Sequence, residues 1–356
     1  MNNEKYVGMD VHKATTVIVV VNTVGQMLMQ NIVATDARVL REFFQGLSGT
    51  VHLALEEGAQ SAWLYGLLKP LVKDVVVCDA RHAALLTTGN KSDQIDAAKL
   101  AELLRLGGLK AVYKGDAAQQ RLKDLARTYT NLVTDCTRAM NQLKALYRGR
   151  GLKCDGRDIY QAQQREAWLA KLPEEGARFR AGSLFAQLEK LQELRRAAKA
   201  ELLRQSKQHP DYAVLQTQPG LGPVRVAILL AQVGRPERFR TKRQFWPYCG
   251  LAVRTHSSAD HEIINGVLSK RRKIFGTRGL NPHHVPALKS IFKDAALSAK
   301  QREPFKSWYE VRIAKGQRPE MVRLSLARKL AATTLICWQR KEKFDVHKVS
   351  VSDRGE

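Results

Sequence analysis

From Tyr6 to about residue 110 the chain alternates short β-branched runs with helical spacing. YVGMDV and TTVIVVVN have strand character, and QMLMQNIVA follows the turn signal Val24-Gly25. DARVLREFFQGL then has the polar spacing of a helix, and VHLALE reads as a strand. AQSAWLYGLLKPL reads as a helix stopped by proline, DVVVCDA as a buried strand, and SDQIDAAKLAELLRL as a closing helix. From about residue 116 to 208 strands vanish. LFAQLEKLQELRRAAKAELLRQ places Leu184, Leu188, Leu191, Ala198 and Leu202 at heptad-like positions interrupted by Arg195. That pattern suits either a coiled-coil or hairpin arm or a helix packed on its own domain. His209-Pro210 marks a further boundary, after which LQTQPGLGPVRVAILLAQVG resembles a helix-hairpin-helix. RPEMVRLSLARKLAATTLICW reads as a basic helix, and KEKFDVHKVSVSDRGE as a frayed tail.

Three strands joined by short turns, then helix–strand–helix–strand–helix, is the element order of an RNase H-like α/β sheet. The expected organisation is an RNase H-like domain over 1–114, a helical arm over 115–209, a mainly helical C-terminal domain over 210–340 and a tail over 341–356. Acids fall where such a sheet would place a site. Asp10 ends the first strand, Glu56 ends VHLALE, and Asp93 and Asp96 open the closing helix. Residues at i and i+3 share one helix face, so the last two form half of a metal site or, alternatively, an N-cap at Asp93 with a first-turn acid at Asp96. Glu57 competes with Glu56; the latter is preferred because it directly follows the apolar Leu55. His12, two residues beyond Asp10, either approaches the ions or, as is more usual at a strand end, is a surface residue. Several carboxylates converging from different elements is what phosphoryl transfer with divalent ions requires.

Composition sharpens this picture through charge. The chain has 356 residues, with 59 Lys plus Arg against 34 Asp plus Glu, a net charge of +25. Such an excess points to a polyanionic partner, nucleic acid first, through phosphate contacts. The turn at Gly220 and Gly222 exposes backbone amides suited to a phosphate, and Lys270, Arg271, Arg272 and Lys273 form a basic cluster. RGRGLKCDGRD is a basic, Gly-rich loop of the same kind. The longest apolar run, VIVVV, is too short to cross a membrane, and MNNEKYVGMD lacks the apolar core of a signal peptide. Five cysteines without CxxC spacing argue against disulfides and structural zinc, and for a reducing, cytoplasmic setting.

These motifs resemble one family. Asp10-Val11-His12-Lys13, LEEGAQSAWLY and KSDQIDAAKLA match, in order, the motifs of the DEDD-type transposases of the IS-one-ten insertion-sequence family. QPGLGPVRVAILLAQVGRPERF, YCGLAVRTHSSADHEI and RPEMVRLSLARKLA resemble that family's C-terminal domain. The resemblance implies a RuvC-like nuclease domain in which Asp10, Glu56, Asp93 and Asp96 hold Mg2+ or Mn2+. It implies a nucleophilic serine just before a glycine. That position maps to Ser258; Ala259 stands in place of the glycine, so Ser257 remains an alternative. It further implies a nucleoid-associated bacterial recombinase acting on donor and target DNA, guided by a non-coding (bridge) RNA and assembled as a dimer to tetramer. The competing readings are a RuvC-like, structure-selective nuclease that uses water, as a Holliday-junction resolvase does, and a non-catalytic nucleic-acid-binding protein.

Overall fold

The computed structural model describes residues 3–79, 92–255, 261–264, 267–270 and 277–348. The chain divides into two compact units, Met1–Gln120 and Arg121–Glu356.

The first unit is built on a five-stranded sheet. Strands β1 (Glu4–Val11), β2 (Thr15–Val21), β3 (Met27–Ala34), β4 (Thr50–Glu56) and β5 (Asp74–Cys78) lie in the order β3-β2-β1-β4-β5. The first three run antiparallel, while β4 pairs parallel with both β1 and β5. Helices α1 (Ala37–Gln45) and α2 (Ser61–Leu68) connect β3 to β4 and β4 to β5, and α3 (Asp93–Arg105) follows β5. This is the mixed α/β arrangement that the hydrophobic pattern predicts.

Two core layers follow from the two-residue period of the strands. Val7, Met9, Ile18, Val20, Leu53 and Leu55 pack against Leu40, Phe44, Leu64 and Leu68 of α1 and α2. On the opposite face Val17, Val19 and Val21 meet Ala97 and Ala101 of α3, and Ala54 and Cys78 meet Leu100. The apolar run in β2 is therefore a strand covered on both faces, which is why it does not alternate.

Small residues set how closely α3 approaches. A β-carbon on Gly8 would collide with the Ala97 carbonyl, and it would also crowd the Ala101 amide. Glycine under two alanines lets the helix backbone lie almost on the strand. Further along, Arg105 donates to Glu102 Oε2 at 2.7 Å and to the Thr23 carbonyl at 3.1 Å, tying the far end of α3 to the β2–β3 turn. The helix is thus held at its middle and its C-terminal end, and its N-terminal end projects toward the C-terminal ends of β1 and β4.

In the second unit, α4 (Ala117–Arg148) and α6 (Glu175–Lys207) are each about 50 Å long at 1.5 Å per residue. They form an antiparallel hairpin. Leu122, Ala126 and Leu202 join the C-terminal core, Cys136, Ala139 and Leu188 meet midway, and Leu143, Tyr147, Ala181 and Phe185 close the tip with Trp168 of α5 (Arg165–Ala170). Of the heptad-like positions, Leu188 and Leu202 are buried, while Leu184, Leu191 and Ala198 are half-buried; Leu194, off that pattern, is exposed. The seam is well filled at both ends and thin between them.

The remaining helices are α7 (Tyr212–Gln216), α8 (Pro223–Val233), α9 (Lys242–Tyr248), α10 (Pro286–Ala299), α11 (Phe305–Ala314) and α12 (Pro319–Arg340). They pack around α8, whose residues from Val226 to Ala231 are all buried. Two small antiparallel ribbons, Val253–Thr255 with Thr277–Leu280 and His261–Ile264 with Val267–Lys270, lie between α9 and α10 in the chain. The stretch after α12 is less frayed than its composition suggests. Lys341 binds the buried Asp211 carboxylate at 2.8 Å, the Phe344 amide donates to Thr217 Oγ1 at 2.9 Å, and the Phe344 ring lies 6.2 Å from Phe305. One aromatic anchor and two polar ties dock it as far as Phe344. All five cysteines are free; Cys337 is half-buried and the other four are buried.

Candidate metal centre

Strand alternation decides which acids can meet. Gly8 faces α3, so Asp10, two residues on, faces α3 as well. Ala54 packs on the α3 side, so Glu56 shares that face. Met9 pairs with Leu55 in the parallel register, which sets Asp10 beside Glu56 on neighbouring strands. Neighbouring strands are about 4.8 Å apart, a suitable span for two carboxylates around a cation.

Helix α3 brings the other acids. Its N-cap is Ser92, whose Oγ accepts the Ile95 amide at 3.3 Å. The alternative reading of Asp93 as the N-cap is thereby corrected, while Asp96 does lie in the first turn. Ser92 has the extended backbone of a cap (φ −152°, ψ 153°), and Asp93 is already the first helical residue. Because Ser92 takes the capping role, the carboxylates of Asp93 and Asp96 are left for other partners, and both sit where the helix dipole favours their ionised form.

The third component is His12, which is exposed, as a strand-end residue is expected to be, and also approaches the acids. It lies in a tight turn closed by its own amide donating to the Thr15 carbonyl at 2.9 Å, and its carbonyl accepts from Thr35 Oγ1 at 3.0 Å. This turn aims the ring at the acids. His12 Nε2 lies 3.2 Å from Asp10 Oδ2 and 3.1 Å from Asp93 Oδ2. The available signal was the two-residue spacing from Asp10, but only the turn directs the ring to the acids, with the side chain still 49% exposed. Donor atoms of Asp10, His12 and Asp93 all lie within 4.8 Å of one another.

The electrostatics fit a cation. Burial pushes the Asp10 carboxyl above the ordinary carboxylate value, His12 opposes that shift, and Asp93 and Asp96 reinforce it. Carboxylates that repel one another at a partly buried point are stabilised by a shared positive charge. Oxygen donors with one imidazole suit a hard divalent ion such as Mg2+ or Mn2+. Beside Asp10, His12 and Glu56 opens a cavity of about 550 Å³, also lined by Lys13, Glu57 and Ser61.

The other expected residues are placed differently. Glu57 is turned to Lys114, whose Nζ lies 3.0 Å from Glu57 Oε1. Gly220 has φ +74°, and a β-carbon there would strike Ala295 of α10; Arg225 donates to its carbonyl at 2.8 Å. A packing demand therefore accounts for that glycine. Gly222 is the exposed N-cap of α8. Lys270 ends its strand opposite His261 in the backbone register. Ser257, Ser258, Arg271, Arg272 and Lys273 lie outside the described residues.

Comparison with known proteins connects the two units. Residues 7–149 match a family model for DEDD-type transposases, and residues 212–310 match the transposase model of the IS116/IS110/IS902 family. The chain is 26% identical over 218 residues to the transposase for insertion sequence element IS1111A of Coxiella burnetii, a match covering 58% of this chain and 57% of that protein. It thus spans less than two thirds of that relative's length. A protein named as a transposase in Sinorhizobium fredii is 24% identical over 343 residues, 94% of this chain and 83% of its own. Among the described residues no helix is long and apolar enough to cross a membrane.

Proposed function

Since the chain belongs to the IS110 family of transposases, we propose that it cuts and rejoins DNA by metal-dependent phosphoryl transfer with a serine nucleophile. The observation that carries the metal half is the convergence of Asp10, His12 and Asp93 donor atoms from a strand, a turn and a helix. Glu56, beside Asp10 on the neighbouring strand, and Asp96, one turn along α3 from Asp93, are the further ligands of this proposal. These residues would hold Mg2+ or Mn2+, which would supply Lewis-acid polarisation of the scissile phosphate and stabilisation of the developing charge.

Ser258 is the proposed nucleophile, with Ser257 the alternative. Its oxygen bonds to phosphorus, its proton passes to solvent, and the bond from phosphorus to the leaving sugar oxygen breaks, releasing that strand end as a hydroxyl. The phosphoserine link keeps a phosphoester, so a second strand's hydroxyl can displace the serine and reseal DNA. Lys270–Lys273 and the Gly220–Gly222 turn contribute phosphate contacts. A net charge of +25 supports a nucleic-acid partner and is compatible with sequence recognition delegated to a non-coding guide RNA. Donor and target DNA, held by a dimer to tetramer of the chain, complete the assembly.

The test is covalent trapping. Wild-type protein with Mg2+ and labelled DNA is expected to give a denaturant-resistant protein–DNA adduct that Ser258→Ala abolishes. Equal nicking by both proteins with no adduct from either would replace this reading with water-dependent hydrolysis. Sequencing the RNA that copurifies with the chain tests the guide; random cellular RNA would sink that part.

A further inference from the structure

The two edges of the first unit's sheet are treated differently. Along β5 the chain returns after α3, where the Val112 amide donates to the Val77 carbonyl at 2.7 Å and Ala111 bridges to Cys78. Along β3, among the described residues, β2 is the one strand neighbour, and the outer edge is bare. Every residue from Met27 to Ile32 is exposed, Ile32 by 60%.

This edge lacks the usual protections. Exposed edges normally carry lysine, proline or a bulge that twists them away. No residue from Ala14 to Thr35 is charged and none is proline, in a chain of net charge +25. The register with β2 shifts between Val20 and Val21, at the start of β3, and is unbroken from Met29 to Ala34. The Thr35 amide donates to the Ala14 carbonyl at 2.9 Å, which continues that register by one pair. In an antiparallel ladder every second residue turns both its amide and its carbonyl to the same neighbour. Met29, Asn31 and Val33 therefore address β2, and Gln30, Ile32 and Ala34 present their peptide groups to the open edge.

Charge and symmetry select the occupant. A nucleic acid needs cations, and this edge has none. Two copies of a chain at +25 repel one another, so a contact between them falls best on an uncharged strip. Antiparallel pairing of identical edges also closes under a two-fold axis. We infer that β3 pairs with β3 of a second copy, antiparallel about a two-fold axis at Ile32, joining two five-stranded sheets into one. Centring at Ile32 uses the unbroken run. Gln30 exchanges main-chain hydrogen bonds with Ala34 of the second copy, and the two Ile32 side chains meet. Asp10 lies in the same row, since it pairs with Val17 and Val17 with Ile32. The two metal centres then sit symmetrically about the axis, both on the α3 face of the joined sheet. The inference rests on the proposed function only for there being more than one copy; covalent trapping reads the chemistry, so either can fail alone.

The test is sedimentation of the full chain, freed of nucleic acid by nuclease and high salt, against Ile32→Lys. Wild type is expected to dimerise. Ile32→Lys sets like charges face to face on the axis and should raise the dissociation constant by at least roughly tenfold. An equal constant, or a wild type monomeric throughout, would overturn the inference, as would dimers that vanish once nucleic acid is removed. Oxidative cross-linking gives an independent reading if the lysine variant does not fold. Paired residues across such a ladder have Cα atoms about 5.5 Å apart, within disulfide reach. Ile32→Cys should therefore link two chains, whereas Met29→Cys, about 20 Å from its own counterpart, should not. Met29→Cys linking as readily, or Ile32→Cys linking within one chain to a native cysteine, would also overturn it.

Discussion

Gly8 of β1 lies directly beneath the carbonyl of Ala97 in α3, with no room for a side chain between them. This contact joins residues 89 positions apart and sets the height of the helix that carries Asp93 and Asp96. Gly8→Ala should push α3 off the sheet. Overpacking of this kind costs about 1–3 kcal/mol, so the melting temperature should fall by several degrees in calorimetry. Mn2+ affinity should fall with it, since the two acids move away from Asp10. Unchanged affinity at a lower melting temperature would show that the site does not depend on this packing.

Asp93→Asn removes one of the carboxylates beside His12 without enlarging any cavity, because the side chain is 59% exposed. Metal binding and Mg2+-dependent DNA cleavage should both fall by at least roughly tenfold, while the metal-free melting temperature holds or rises slightly. The rise is expected because Asp93 is one of the charges that push the Asp10 carboxyl upward. Cleavage at the wild-type rate would exclude Asp93 from the machinery.

Ser92→Ala removes the N-cap of α3 and should cost about 1 kcal/mol. The first turn would fray, and Asp93 and Asp96 lie within it. The functional sign would be a raised Mg2+ requirement with little change in the saturated cleavage rate. Ser92→Asp, which also caps well, should keep the native requirement. If alanine leaves the Mg2+ titration unchanged, the cap serves the helix alone.

Tyr147, at the tip of the hairpin, is fully buried with a hydroxyl that has no hydrogen-bond partner among the described residues, and its ring packs edge-on against Trp168 at 5.1 Å. Burial pushes its phenol up from 10.0 to about 12. The sign follows from proton binding: between those values the folded chain holds a proton that the unfolded chain has released. The associated stability is fully present below pH 10 and is lost as pH rises toward 12. Tyr147→Phe should therefore lessen the alkaline loss, and at neutral pH it should be neutral or stabilising by about 1 kcal/mol, since an unpaired buried hydroxyl disappears. Denaturant titrations at pH 7 and above pH 10 check both parts; marked destabilisation at pH 7 would reveal a hidden partner for the hydroxyl.

Much of the first unit is legible in the chain itself because its signals are local. β-Branched runs with turn residues between them announce β1 to β5, and helical spacing announces α1 to α3. The acids at Asp10, Glu56, Asp93 and Asp96 stand out because each sits at the end of such an element. The long hairpin also shows in residue type, while its uneven seam does not: whether Leu191 or Leu194 is covered depends on the facing helix.

What only the tertiary structure decided concerns groups whose roles depend on distant neighbours. Ser92 rather than Asp93 caps α3 because of one residue's backbone angles, to which a run of capping-competent residues gives no unique answer. His12 joins the acids because Thr15 and Thr35 fix the turn that aims it. Glu56 and Glu57 are chemically identical and adjacent, and the pairing of Glu57 with Lys114, far along the chain, shows only in the fold. Periodicity and propensity act within a few residues and so are written into the sequence. Which acids share a point in space depends on how closely α3 meets β1, and that is set by packing between segments the sequence keeps apart.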